Sequence, residues 1–488
     1  MQDLEDLNRV MQRQVPIIAL ESHEEARTLE LITRLAIKRN QSLYQWTLTD
    51  GLRRTSFGEE ADGPNTRKAI DALTYIKSKA NPGLYVLCDL HPFMDDATVV
   101  RLLKDIALQH EQQPKTLLLL SHALELPPEI ARLCARFKFA MPDETQLMHL
   151  VKEEARRWGE QTKQRVRTDP ESLRQLISHL KGVTLSDARH LVRGAIADDG
   201  AITDTDLPQV NKAKFALMDM EAILSFEYDT ADFADVAGLK AMKEWLAIRK
   251  SAFFAANPAN QPKGLMLLGM QGAGKSLAAK AIAGSWKLPL LRLDMGALYN
   301  KFFGETEKNL REALQLAEHM APCVLWMDEI EKAIGQDQND NGVSQRLLGT
   351  LLTWMAERKS PVFMVATANN IEALPPELIR KGRFDEVFFV DLPGADARHE
   401  IFRIHLRKRG LQPQFELANC VLMTEGFSGA EIEQAVVSAM HLASARSVPL
   451  GEALLLEEIS RTRPLSVLMA EKLSALREWA MARAVAAD

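Results

Sequence analysis

Cysteine is scarce in this chain, with four in 488 residues, and none belongs to a CxxC pair. Cys88, Cys134, Cys323 and Cys420 each stand alone among apolar or helical neighbours. That pattern reads as free thiols in a reducing compartment and excludes a disulfide scaffold or a cysteine-ligated zinc site. Long apolar runs are also missing: no window reaches the ~18 residues of a membrane helix. The stretch Met1–Val15 is charged and lacks an apolar centre, so it is not a signal peptide. Charge of one sign is not in excess either. Sixty basic and 66 acidic residues leave a net charge of −6, which gives no electrostatic footing for nucleic acid. The expectation is a cytoplasmic protein without membrane or nucleic-acid partners. What is present is ordinary for a globular chain, 46% hydrophobic and 26% charged. Its length exceeds the roughly 250–300 residues of one core, so two or more domains are expected.

The first two hundred residues alternate strand-like and helix-like stretches. Val15–Leu20 and Ser42–Leu48 read as strands, with helices over His23–Lys38 and about Thr66–Ala80 and a polar loop between. Leu84–Cys88 and Thr116–Leu120 are continuous apolar runs, as in central parallel strands. The pattern turns helical from Asp143 to about Ile196. Asp199–Asp206 is short and acidic and resembles a boundary, and Gln209–Phe226 reads as a helical connector. The expected organisation is an α/β domain at 1–142, a helical subdomain at 143–208, a connector at 209–231, a second α/β domain at 232–393, and helices over 394–488.

Short correspondences link the halves. Leu126-Pro127-Pro128-Glu129-Ile130 parallels Leu374-Pro375-Pro376-Glu377-Leu378, and Leu84–Asp89 parallels Val324–Asp328. They suit a duplication, although unrelated α/β domains would share the same rhythm.

The chemistry lies in the second half. The apolar strand Leu265–Leu268 runs into Gly269, Met270, Gln271, Gly272, Ala273, Gly274, Lys275 and Ser276, and a helix starts at Leu277. This is G-x-x-x-x-G-K-[ST] between a strand and a helix. Glycines let backbone N–H groups turn inward around phosphates, and the helix N-terminus adds positive dipole. Lys275 would reach the β- and γ-phosphates of ATP, and Ser276 would bind Mg²⁺. A second apolar run, Val324–Met327, delivers Asp328 and Glu329 to a strand end. Asp328 would hold Mg²⁺ through its waters, and Glu329 would polarise the attacking water.

These residues resemble the AAA clade of AAA+ ATPases, the ATP-driven protein remodellers, and the likeness spans about 220 residues. The segment Asp232–Leu239 is similar to the family's entry motif, whose backbone at Val236, Ala237 and Gly238 contacts adenine. Ala366–Asn370 resembles the strand end that brings Asn369 to the γ-phosphate and water. Arg380-Lys381-Gly382-Arg383-Phe384-Asp385 is similar to the segment whose two arginines, here Arg380 and Arg383, act on ATP held by the neighbouring subunit. His405 matches a residue near the ribose and adenine, and Gly426–Ala430, with Gly429 and Ala430, matches the lid loop that closes on the nucleotide. The resemblance implies a parallel sheet with flanking helices and a helical lid, assembled as a homo-hexameric ring. Met270 and Gln271 stand where the family usually has prolines, and Asn370 where it has arginine. With a long N-terminal half lacking a phosphate loop, the chain looks most like the AAA proteins first described as a hypothetical chloroplast reading frame.

Asn300–Glu307 resembles the family's pore loop, with Phe302 gripping polypeptide, Phe303 behind it and Gly304 as hinge. Core packing of both phenylalanines is the competing reading. Gln336–Val343 reads equally as a second pore loop or as a solvated loop. In the first half, Glu21-Ser22-His23-Glu24-Glu25 occupies the place of a phosphate loop. It has no glycine or lysine, and its carboxylates would repel phosphate. That half is expected to be a degenerate AAA-like copy that engages a protein substrate or adaptor. Two functions stay open: a remodeller that threads polypeptide, and an ATP-controlled assembly switch or scaffold that acts without threading, on protein or on nucleic acid.

Overall fold

The continuous apolar runs fold as strands buried on both faces. The computed structural model describes residues 2–55, 66–218, 224–255, 260–295, 305–334, 342–371, 373–380, 382–411 and 415–488. The chain divides into two compact units, Met1–Pro142 with Thr184–Ser186, and Asp143–Val183 with Asp187–Asp488.

The first unit is built on a six-stranded sheet. Its strands are β1 (Ile17–Glu21), β2 (Leu43–Thr47), β3 (Gly51–Arg54), β4 (Gly83–Cys88), β5 (Lys115–Ser121) and β6 (Cys134–Lys138). Successive side chains along a strand point to opposite faces. Ile17 and Ala19 of β1 therefore enter one core, and Ile18 and Leu20 the other. The order is β3-β2-β4-β5-β1-β6, parallel except for β3. Helices Glu25–Lys38, Ala69–Ser78 and Ala97–Leu108 alternate with the strands. Two elements depart from the sequence reading. Gln2–Gln12 is a helix that buries Leu7 and Met11, and the segment expected as a loop after β2 begins with the antiparallel β3.

The second unit begins with helices Glu144–Thr162, Pro170–His179 and Leu185–Ala197. The short strands β7 (Arg167–Thr168) and β8 (Ala201–Ile202) pair beside them. Asp199–Asp206, expected as a polar boundary, thus holds a strand whose two residues are both buried. The expected helical connector is also corrected. Leu207–Ala216 is helical, but Leu224–Glu227 forms strand β9. Leu224 is buried and Phe226 packs against Phe215, contacts that an exposed linker helix would forgo.

The large sheet then takes β10 (Gly264–Gly269), β11 (Leu290–Leu293), β12 (Cys323–Met327), β13 (Val362–Ala368), β14 (Glu386–Val390) and β15 (Val485–Ala486). Its order is β15-β14-β10-β13-β12-β11-β9, with β9 antiparallel. Leu265 and Leu267 face one core, Met266 and Leu268 the other. Helices Ala395–Lys408, Ala418–Met423, Gly429–Ala445 and Glu452–Arg461 share a separate core around Phe402, Phe427 and Leu455.

The two sheets repeat one winding. Five parallel strands run β6-β1-β5-β4-β2 in the first and β14-β10-β13-β12-β11 in the second, so in sequence order both are 5-1-4-3-2, and the second adds β15 parallel to β14. An antiparallel edge strand follows at the same end of each, β3 on β2 and β9 on β11. Among the described residues no helix is long and apolar enough to cross a membrane.

Candidate active site

The C-terminal ends of parallel strands are where such sheets bind ligands, and β10, β12 and β13 converge there. β10 ends at Gly269, where an added Cβ would lie 2.2 Å from the Val390 carbonyl oxygen, so the close approach of β14 demands glycine. The chain then turns through Gly272 and Gly274, both at positive φ (+79° and +95°), a region that costs glycine nothing. Lys275 opens the helix Lys275–Trp286. Met270, standing in a position the family fills with proline, is buried against Met266 and Leu268 and so anchors the loop from the core side.

The ammonium of Lys275 donates to the carbonyls of Gly269 and Met270 and to Asn369 Oδ1, each at 2.8 Å. Asn369 in turn donates from Nδ2 to Glu329 Oε1 at 2.9 Å. One side-chain amide, on the residue that follows the end of β13, therefore links the phosphate-loop cation to the carboxylate beside it. Glu329 has φ +50°, uncommon for a residue with a side chain and typical of functional sites. It also pairs with Lys332.

Thr367 holds the acidic strand end together. Its hydroxyl donates to Asp328 Oδ1 at 2.6 Å and accepts from the Glu329 amide at 3.0 Å. Arg292 lies 3.3 Å from Asp328 Oδ2. Glu331 accepts from the Asn369 amide at 2.8 Å. Sequence reading missed Thr367, Glu331, Arg292 and Lys332. Only Thr367 carried a signal: it sits two residues before Asn369 and hence on the same face of the strand.

A cleft of about 430 Å³ brings most of the expected residues together. It is lined by Val236 and Ala237, by Gln271–Leu277, by Asp328, Glu329 and Asn369, and by His405, Gly429 and Ala430. Asp235, Leu239, Thr367, Asp391, Pro393, Ile401, Ile404 and Glu433 join them. Gly238, at positive φ, and Gly269, the end of β10, are not among the lining residues. The lid reaches the loop directly: the Ala430 amide donates to the Gly272 carbonyl at 3.3 Å. A Ser428–Glu431 capping box fixes the start of that helix. His405 Nδ1 lies 3.4 Å from Glu433 Oε1. Burial lowers the His405 pKa and Glu433 opposes that shift, which favours a neutral ring.

Arg380 and Arg383 are absent from the cleft lining, and Arg383 instead donates to the Leu352 carbonyl at 2.7 Å. Phe302, Phe303, Gly304 and most of Gln336–Val343 lie outside the described residues.

The donor set fits Mg²⁺: a Ser276 hydroxyl and an Asp328 carboxylate on one cleft are the hard oxygen ligands that this ion takes beside phosphate and water. Lys275 fits a polyphosphate. Burial pushes its pKa down to about 8, while Glu331, Asp328 and Glu329 oppose the shift. At pH 8 about half of such ammonium groups are deprotonated, and bound phosphate would recharge them. Binding of ATP near pH 8 should therefore take up a fraction of a proton per site. Calorimetry in buffers of different ionisation enthalpy reads this uptake, and Lys275→Arg should remove it. Equal enthalpies across buffers for the wild type would show that Lys275 gains no proton on binding and that its pKa is not lowered as far as pH 8.

Comparison with known proteins agrees with this geometry. Residues 265–392 match the family model "ATPase family associated with various cellular activities (AAA)". Residues 3–139 match the N-terminal domain of SpoVK-like AAA ATPases and residues 145–221 their second domain. The AAA domain-containing protein ycf46 of Guillardia theta is 35% identical over 495 residues, covering 98% of this chain and 95% of that protein. The proteasome-activating nucleotidase of Aeropyrum pernix is 35% identical over 269 residues, covering 52% of this chain and 64% of that protein. The cell division cycle protein 48 homolog of Archaeoglobus fulgidus is 34% identical over 218 residues, covering 42% and 30%.

Proposed function

Because this chain belongs to the ycf46 group of AAA domain-containing proteins, we propose that it works as a homo-hexameric ring that uses Mg-ATP to pull on polypeptide. It is a remodelling-type AAA+ ATPase and hydrolyses ATP. Names given to the relatives, proteasome-activating nucleotidase among them, favour a protein substrate over nucleic acid.

One observation carries the ring reading: among the described residues that line the cleft there is no arginine. Hydrolysis spreads negative charge over the γ-phosphoryl oxygens, and an arginine supplied from a neighbour commonly meets it. Arg380 and Arg383, outside their own cleft, are the candidates to act on the adjacent protomer's ATP.

The chain's own residues perform the rest. Backbone amides of Gly272–Lys275 cradle the phosphates, and Lys275 neutralises their charge. Ser276 and Asp328 would hold Mg²⁺, which would supply Lewis-acid stabilisation of the charge that develops on the phosphoryl group. Glu329, oriented by Asn369, accepts the proton of the attacking water. Val236, Ala237 and His405 take the nucleoside, and Gly429–Ala430 close over the loop. The N-terminal unit engages a substrate or adaptor.

Phe302 tests the threading. Phe302→Ala should leave basal hydrolysis within about three-fold of wild type and abolish stimulation by an unfolded protein such as casein. A core phenylalanine would instead cost ~3–5 kcal/mol on truncation, seen as a fall in melting temperature with basal activity falling in parallel. Normal stability together with normal stimulation would transfer the function to an ATP-controlled assembly switch.

A further inference from the structure

The repeated winding places the ends of β1, β4 and β5 in the first unit where β10, β12 and β13 hold the nucleotide cleft in the second. No phosphate loop stands there. The Glu24 amide donates to Ser22 Oγ at 3.0 Å and the Thr28 hydroxyl to the same oxygen at 3.1 Å, so the turn after β1 is tight and closed. What the three strand ends bring together is imidazole and carboxylate. One atom each of Asp89, His91 and His122 lie within 4.8 Å of one another. The rings of His91 and His122 meet edge to face at 5.0 Å between centroids, and His23 lies 6.1 Å from His122.

We infer that this corner is a binding site for a divalent transition-metal ion of the zinc class. The ligands are Asp89, His91 and His122, with water in the open fourth position of a tetrahedral site. Imidazole with carboxylate is a donor set that suits zinc and its neighbours rather than Mg²⁺. Ser121 supplies the orienting shell that metal-binding histidines use. Its hydroxyl lies 2.7 Å from His91 Nδ1 and 3.3 Å from Asp89 Oδ1, and so fixes the ring against the carboxylate. Tetrahedral zinc with bonds of about 2.1 Å needs ligands about 3.4 Å apart. Closing the site therefore asks for an ångström or so of side-chain rotation, which the exposed Asp89 and His122 can make. In the adjoining turn Glu24 and Glu21 are paired with Arg27 and Arg136, and Glu25 adds negative field that favours a cation. The degenerate site thus exchanges an anion for a cation while keeping its place on the sheet. The ion would tie the loop after β4 to the loop after β5, the places from which β12 and β13 deliver Asp328 and Asn369 in the other sheet.

The test uses the full chain without nucleotide or Mg²⁺. Equilibrium dialysis against Zn²⁺ should retain one equivalent per chain, and Zn²⁺ should raise the melting temperature. Co²⁺ should give the visible absorption of a tetrahedral site. His122→Ala and His91→Ala should each weaken retention at least tenfold and erase the Co²⁺ band. His441→Ala, an exposed histidine elsewhere, should change neither. Circular dichroism shows that the variants fold, and the wild-type measurement stands alone if one does not. Absence of Zn²⁺ retention by the wild type, or retention unaltered by both substitutions, overturns the assignment.

Discussion

Glu329→Gln should bind ATP with near wild-type affinity and hydrolyse it about 10²–10⁴-fold more slowly, the usual contribution of a positioned general base. The amide keeps an oxygen that can accept from Asn369 Nδ2, a hydrogen bond of 2.9 Å in the wild type. The loop and its lysine are left in place, and only the ability to take a proton goes. The loss should appear in kcat, read by phosphate release, and not in affinity, read by titration with a fluorescent ATP analogue. Turnover near the wild-type rate would remove Glu329 from the mechanism. A chain arrested with ATP bound is also the form in which partners should stay attached, so affinity capture on this variant addresses the substrate.

Arg383→Ala should lower turnover by about 10³–10⁵, the range seen when an arginine finger is withdrawn. A structural alternative exists, because Arg383 also holds the Leu352 carbonyl within its own chain. Mixing separates the two. In rings assembled from Arg383→Ala and Glu329→Gln chains, some interfaces pair an intact Glu329 with an intact Arg383. If the arginine acts across the interface, those sites hydrolyse ATP although both parent proteins are nearly inert. If its role is internal, the Arg383→Ala chain stays dead beside any neighbour. Mixed rings that form and recover no activity at any ratio would therefore refute the action in trans.

The loop around Lys275 was legible because its chemistry is local. Glycine at positive φ, a lysine and a hydroxyl must be adjacent in sequence to wrap phosphate, and an apolar run must precede them. The central strands were legible for a similar reason, since β4, β5, β10 and β12 are buried on both faces and read as unbroken apolar runs. Elements whose identity depends on a distant partner were not. β9 has four residues, only Leu224 of them fully buried, and it is a strand because β11 lies beside it. The role of Thr367 depends on Asp328 and Glu329, almost forty residues away in sequence. The His91–His122 corner was invisible for the same reason, because its members come from different strand ends.

The two sheets also differ in when their last strand becomes available. β6 ends at Lys138, so every ladder of the first sheet can form once that much chain has emerged. The second sheet is complete only with β15, residues 485–486, whose Val485 lies opposite Phe388. At ribosomal speeds of about 5–20 residues per second, the interval between the two is roughly twenty seconds to a minute. The first sheet can therefore be folded long before the ATP-hydrolysing sheet is finished. Through much of its synthesis the nascent chain would present a finished first sheet without a complete ATP-hydrolysing one.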